Sequence, residues 1–166
     1  SPGQGKTHYS PYIKLRLNIK NANKNEAFIL IKKRKKISKN YFYLSKKNNL
    51  KEAAEKIQMM GPSSLIIKQG EDGAILFSEN KEFTCPSFMV SQCIDPTGAG
   101  DTFAGAFIGH LYSTQDLSFD NMKLGVIKAC AMASFCVESF GVNNIINKDL
   151  SEINTRINKL KQGVSV

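Results

Sequence analysis

The run Asp95-Pro96-Thr97-Gly98-Ala99-Gly100-Asp101-Thr102-Phe103 decides how this chain is read. Two glycines flank an alanine directly before an aspartate. Behind them Ala104, Phe107, Ile108 and Leu111 recur at three- and four-residue spacing, the period of a helix with one buried face. A Gly-rich turn that opens a helix presents free backbone N–H groups at the positive end of the helix dipole. Such an end binds phosphate. Asp101 falls at that end. A carboxylate beside a bound anion is electrostatically unfavourable unless it has a task, and removing a proton from a hydroxyl is one such task. The plainer alternative is a Gly-rich loop ahead of a packed helix.

Upstream, Ser64-Leu65-Ile66-Ile67-Lys68 and Ala74-Ile75-Leu76-Phe77 read as short apolar strands. The tight turn over Gly70 to Gly73 makes them an antiparallel pair. Asn49 caps a helix running to about Met60, with Leu50, Ala53, Ala54 and Ile57 on its buried face, and Gly61-Pro62 stops it. Residues 83–94 extend toward the signature run. Downstream, helices are expected over about 101–113, 119–140 and 149–161, the first two separated by Asp116 to Asp120. Residues 1–20 give no clear period, and the Lys- and Asn-rich stretch 31–49 reads as loop. The alternation of helices and strands predicts an α/β fold, with apolar strands covered by helices.

The chain has 166 residues, 42% apolar and 22% charged, enough for one domain with a core. No apolar run reaches membrane-spanning length, so a cytoplasmic protein without a membrane partner is the expectation. Cys85, Cys93, Cys130 and Cys136 show no Cys-x-x-Cys spacing and are expected as buried free thiols. The net charge of +9 is uneven. Residues 1–56 hold 15 Lys/Arg against three acids (+12), and residues 57–166 hold 8 against 11 (−3). Lys32-Lys33-Arg34-Lys35-Lys36 is the densest point. A solvated loop is the favoured reading of segment 14–47, and a nucleic-acid surface is the alternative, without a nucleic-acid motif to frame it. Gly5-Lys6-Thr7 mimics the end of a phosphate-binding loop but has no strand before it. His8 and His110 are unpaired by spacing, and His110 is expected to be structural.

The signature run resembles the C-terminal motif of the PfkB/ribokinase family of carbohydrate and nucleoside kinases, written Asp-Thr-x-Gly-Ala-Gly-Asp. Its second and third positions depart slightly from that form. The resemblance implies Asp101 as catalytic base, with the amides of Gly98, Ala99, Gly100 and Asp101 as an anion hole. Three further segments resemble the family in the right order. Asn23-Lys24-Asn25-Glu26 looks like its Asn-x-x-Glu motif, which implies Mg²⁺ held indirectly, through water, by Asn23 and Glu26. Lys68-Gln69-Gly70-Glu71-Asp72-Gly73-Ala74 resembles its Gly-x-x-Gly-Ala turn, which borders the nucleotide; a plain β-turn explains the same glycines. The stretch from Ala129 to Gly141 resembles its small-residue helix beside the adenine, although Lys128, Ala129 and Cys130 stand where some members have asparagine. Core packing is the other reading of that stripe.

The implied nucleotide-binding residues are Lys68, Gly70, Gly73, Thr97, Gly98, Gly100 and Ala133. Implied partners are ATP and a sugar or nucleoside substrate, with a monovalent cation near the anion hole in some relatives and no ligands assignable for it here. The resemblance is good from about Leu50 onward and patchy before. The family's sugar-binding Gly-Gly motif, substrate-binding aspartate and β-sheet lid are not recognisable. The expectation is therefore the C-terminal part of a ribokinase-like three-layer α/β/α sandwich over residues 50–166, behind a basic, irregular leader over residues 1–49. Such a piece would catalyse ATP-dependent phosphoryl transfer. As an alternative it would hold nucleotide with weak catalysis, and would self-associate or pair with a separate N-terminal half.

Overall fold

The computed structural model describes residues 12–16, 27–32, 49–141 and 143–164. A five-stranded sheet runs in the order β1 (Tyr12–Arg16), β2 (Ala27–Lys32), β3 (Ser64–Lys68), β4 (Ala74–Ser78), β5 (Lys81–Cys85). β2 and β3 are parallel, and the other three neighbouring pairs are antiparallel. The parallel pair requires a crossover, and α1 (Leu50–Gln58) lies on it. The expected antiparallel pairing of β3 with β4 is present, with Ile66 opposite Leu76.

β3 and β4 are buried on both faces, and alternate residues serve different cores. Leu65, Ile67, Ile75 and Phe77 pack with Ala53, Ala54 and Ile57 of α1. Ile66, Leu76 and Phe83 face the opposite way, onto α2 (Ala99–Thr114), α3 (Phe119–Cys136) and α5 (Leu150–Gln162). Helices on both faces of one sheet make the three layers. Each fully buried Leu, Ile or Phe contributes about 1.5–3 kcal/mol over its exposed state, so the strands' uninterrupted apolar run is the main reason the sheet is central.

The helix starts follow from their caps. The Asn49 carboxamide oxygen accepts from Lys51 N (2.9 Å) and Glu52 N (3.3 Å), and Asp149 accepts from Glu152 N (2.8 Å). Ser118 caps α3 through Asn121 N. A short helix, α4 (Asn143–Ile146), was not expected. No helix among the described residues is long and apolar enough to cross a membrane.

Three expectations are corrected. The stretch read as irregular carries β1 and β2, so the sheet extends across position 50. Helix α2 begins at Ala99, two residues before its expected start, which places Gly100 and Asp101 inside its first turn. Of the four thiols, Cys85, Cys130 and Cys136 are buried, but Cys93 is exposed on the segment between β5 and α2.

Candidate anion-binding and catalytic site

The signature run forms the entry to α2. Gly98 is its N-cap, with φ +82° and ψ −12°, a left-handed conformation that disfavours any side chain. Gly100 is helical instead, so the permissive backbone is needed at the first glycine and not the second. The Thr97 N–H donates to Asp95 Oδ1 (2.9 Å), closing a local turn. Hydrogen bonds from the Thr97 side chain and backbone hold the Asp95 carboxyl below the usual carboxylate range.

Two of the four turn amides are already engaged. Ala99 N donates to Pro96 O (3.3 Å, long) and Asp101 N to Gly98 O (3.0 Å). The N–H groups of Gly98 and Gly100 have no hydrogen-bond partner among the described residues. They, and the weakly held Ala99 amide, are the donors an anion would meet at this helix end. The Asp101 side chain is exposed on the same turn and makes no ion pair or hydrogen bond among the described residues.

Lys68 brings a cation to this turn. It is the last residue of β3, and its Nζ donates to Gly100 O at 3.0 Å while lying 5.8 Å from the Phe103 ring. A Cβ added at Gly100 would come within 3.3 Å of the same Nζ. Gly70 and Gly73 bound the turn that leaves β3. Gly70 has φ +70° and open space around it. Gly73 has φ +92°, and a Cβ there would lie 2.1 Å from Cys85 O. Gly73 therefore has a packing task of its own, the close approach of the turn to residues 85–87.

The other side of the run rests on the end of α3. Ile94 N and Asp95 N both donate to Val137 O (2.8 and 3.2 Å), and Cys136 Sγ donates to Thr97 O (3.4 Å). Ala133 lies one turn earlier on that helix, half-buried against the core shared with α2. The fold thus brings Lys68, Thr97, Gly98, Ala99, Gly100 and Asp101 together, with the Gly70–Gly73 turn following Lys68. The contacts of Val137 and Cys136 with the signature run escaped the reading of the sequence. A helix-end carbonyl carries no residue-type signal, and only the small-residue stripe marked that helix. Asn23, Glu26, Gly5 to Thr7 and Lys33 to Lys36 lie outside the described residues; Lys32 ends β2, aligned with Lys68 in the parallel register.

His110 is buried and structural, as expected. Its Nε2 faces Asn121 O (3.2 Å) and Oδ1 (3.0 Å), and its Nδ1 faces Lys128 Nζ (3.0 Å). Two acceptors at Nε2 and a donor at Nδ1 select the neutral tautomer protonated at Nε2. Burial, then the Lys128 charge, lowers its pKa from 6.5.

Comparison with known proteins bears on the family and the fold. The model of the pfkB family carbohydrate kinases matches residues 18–149. Over 78 residues the chain is 36% identical to a nucleoside kinase of Methanocaldococcus jannaschii, covering 47% of this chain and 24% of that protein. Among solved structures, a ribokinase from Thermotoga maritima superposes with a TM-score of 0.60 at 26% identity, over 79% of this chain and 42% of that one. The aminoimidazole riboside kinase from Salmonella enterica, solved with aminoimidazole riboside and an ATP analogue, gives a TM-score of 0.64 at 23% identity, over 77% and 41%. The chain spans about a quarter of the curated relative's length and about two-fifths of these structures.

Proposed function

The chain belongs to the pfkB family of carbohydrate kinases, and from that premise we propose that it takes part in ATP-dependent phosphoryl transfer to a hydroxyl of a sugar or nucleoside. One observation carries the reading. Among the described residues, the exposed Asp101 carboxylate has no partner and stands on a helix turn whose Gly98 and Gly100 N–H groups are free, with the Lys68 ammonium against the same turn.

In this proposal Asp101 accepts the proton of the attacking hydroxyl, and the oxygen attacks the γ-phosphorus in line. The Gly98 and Gly100 amides receive the negative charge that develops, with the Ala99 and Asp101 amides contributing once their internal bonds loosen. Lys68, Thr97, Gly70, Gly73 and Ala133 flank the nucleotide. Support comes from the order of these segments and from relatives that are sugar and nucleoside kinases, one solved with an ATP analogue. Mg²⁺ enters only through Asn23 and Glu26, outside the described residues, and no step is assigned to it or to a monovalent cation.

The test is Asp101→Asn, isosteric but unable to take the proton. ADP release is followed by a coupled assay across ribose, fructose and nucleosides, and MgATP affinity by calorimetry. General-base loss lowers turnover by about 10²–10⁴-fold, with MgATP affinity within about twofold of the unsubstituted chain. Equal turnover in the variant sinks the assignment of Asp101. MgATP binding without turnover in the unsubstituted chain reduces the function to nucleotide binding.

A further inference from the structure

Arg156 on α5 belongs to none of the family-like segments, yet it grips the helix end on which the signature run rests. Its Nη1 donates to Ser134 Oγ (2.7 Å), and its Nη2 to both carboxylate oxygens of Glu138 (2.9 and 2.7 Å). The guanidinium carbon lies 3.6 Å from the centroid of the Phe135 ring and 4.7 Å from that of Phe88. Ser134 Oγ donates onward to Ala131 O (2.6 Å), and Asn144 Nδ2 donates to Phe135 O (2.8 Å). Both ionic partners are partly buried, at 15% and 24% side-chain exposure, so this pair is less screened than a surface pair. Residues 134–138 are thereby held on one side by α5. On the other side, Val137 O accepts from Ile94 and Asp95, and Cys136 Sγ donates to Thr97 O. One short helix end therefore joins the Arg156 cluster to the turn.

We infer that Arg156 is a positioning residue for the anion turn: by locking Ser134, Phe135 and Glu138 it fixes the Val137 carbonyl and Cys136 thiol that set where Gly98 to Asp101 stand. A planar guanidinium is required, because two hydrogen-bond directions and a stacking face are used at once. Lysine offers one point charge and cannot reproduce that geometry. The coupling itself is a property of the fold; only its consequence for phosphate rests on the proposed function.

The experiment uses the full chain with Arg156→Met, Arg156→Lys and, as a control, Leu160→Ala. Leu160 is buried on the same helix in the core cluster and is not among the groups that hold Arg156. Amide hydrogen exchange at Ile94 and Asp95 is compared with that at Phe107, buried in α2, and MgATP affinity is measured by calorimetry at matched fractions folded. Arg156→Met should speed exchange at Ile94 and Asp95 at least about tenfold more than at Phe107, and weaken MgATP binding by about 5–20-fold, in the usual range of inter-site coupling. Arg156→Lys should follow it, and it replaces Arg156→Met as the deciding variant if the methionine does not fold. Leu160→Ala should change all three amides alike and leave MgATP affinity unaltered. Parallel changes at Ile94, Asp95 and Phe107 in the Arg156 variants overturn the inference, as does an equal affinity loss in Leu160→Ala. If the unsubstituted chain binds no MgATP, the proposed function fails, and the exchange measurements still decide the coupling.

Discussion

Gly70 and Gly73 offer a controlled pair, since both have positive φ in one short turn and only one is crowded. Gly70→Ala places a methyl group in open space at φ +70°. Its cost is the left-handed backbone alone, about 1 kcal/mol. Gly73→Ala is different in kind. At φ +92° and ψ −133° the backbone occupies a region open to glycine. Strain there is roughly 1–3 kcal/mol for any other residue. The new Cβ would also lie 2.1 Å from Cys85 O, 2.6 Å from Pro86 C and 2.7 Å from Ser87 N. All three are backbone atoms that no rotamer change can move. Relief requires the turn to lift from residues 85–87. That jeopardises the bonds from Gln69 N to Gly73 O (2.7 Å), from Gly73 N to Gly70 O (3.1 Å), and from Ser87 Oγ to Glu71 O. Losing two of them adds about 2 kcal/mol. The expected total is about 4 kcal/mol for Gly73→Ala against about 1 for Gly70→Ala. At this chain length that is a fall in Tm of roughly 12 °C against roughly 3 °C. Urea titration and thermal melting followed by circular dichroism measure both. Stabilities within about 1 kcal/mol of each other would refute the close-approach argument. They would also remove the packing task assigned to Gly73.

Two further outcomes are expected. His110 has its pKa lowered from 6.5 by burial and by Lys128, with Asn121 and Asp116 pulling the other way. The stability it contributes is complete above pH 6.5 and is lost as pH falls through the lowered folded value, so the urea midpoint should drop between pH 7.5 and 5 by more in the unsubstituted chain than in His110→Gln; identical profiles would exclude His110 as the source. Gly125 of α3 lies close against α2, since a Cβ there would stand 3.0 Å from His110 Cδ2 and from Phe107 Cδ2. Gly125→Ala should cost about 1–3 kcal/mol by overpacking, read from denaturant unfolding, and an unchanged midpoint would show that the helices can separate freely.

The parts of this fold that were legible in the sequence are those where one residue type decides. Asn49 and Ser64 to Phe77 announce a cap, a buried strand pair and a tight turn through side-chain chemistry and an unbroken apolar run. β1 and β2 were hidden because Lys14, Arg16 and the basic run from Lys32 raise the polarity of short strands that pair with each other and join the sheet only where β2 meets distant β3. The start of α2 was misplaced for a related reason. Gly-Ala-Gly has weak intrinsic helix preference, and the capping residue, Gly98, uses a left-handed backbone instead of a side-chain oxygen. The motif therefore marked the turn without revealing which glycine bends it. Arg156 was invisible for a third reason. On an amphipathic helix a single arginine reads as solvated, and its partners at 134, 135 and 138 come within reach only when α5 docks on α3.

The electrostatics of the turn explain why its parts belong together. A lysine at a helix N-terminus opposes the dipole, a placement that costs stability where carboxylates would add it. Lys68 nevertheless stands there, its ammonium held by Gly100 O at 3.0 Å. The N–H groups of Gly98 and Gly100, without a hydrogen-bond partner among the described residues, add their partial positive charge to the same small volume. Asp101, on the first turn, offsets part of it, and under the proposed function a compact polyanion would gain from the Lys68 ammonium and the helix-start amides together. Lys68 comes from the end of β3, the amides from the start of α2, and the support beneath them from the end of α3. Charge and geometry are thus supplied by different elements. If Arg156 positions the turn as inferred, a change on α5 alters where an anion would be held while the residues proposed to touch it stay the same.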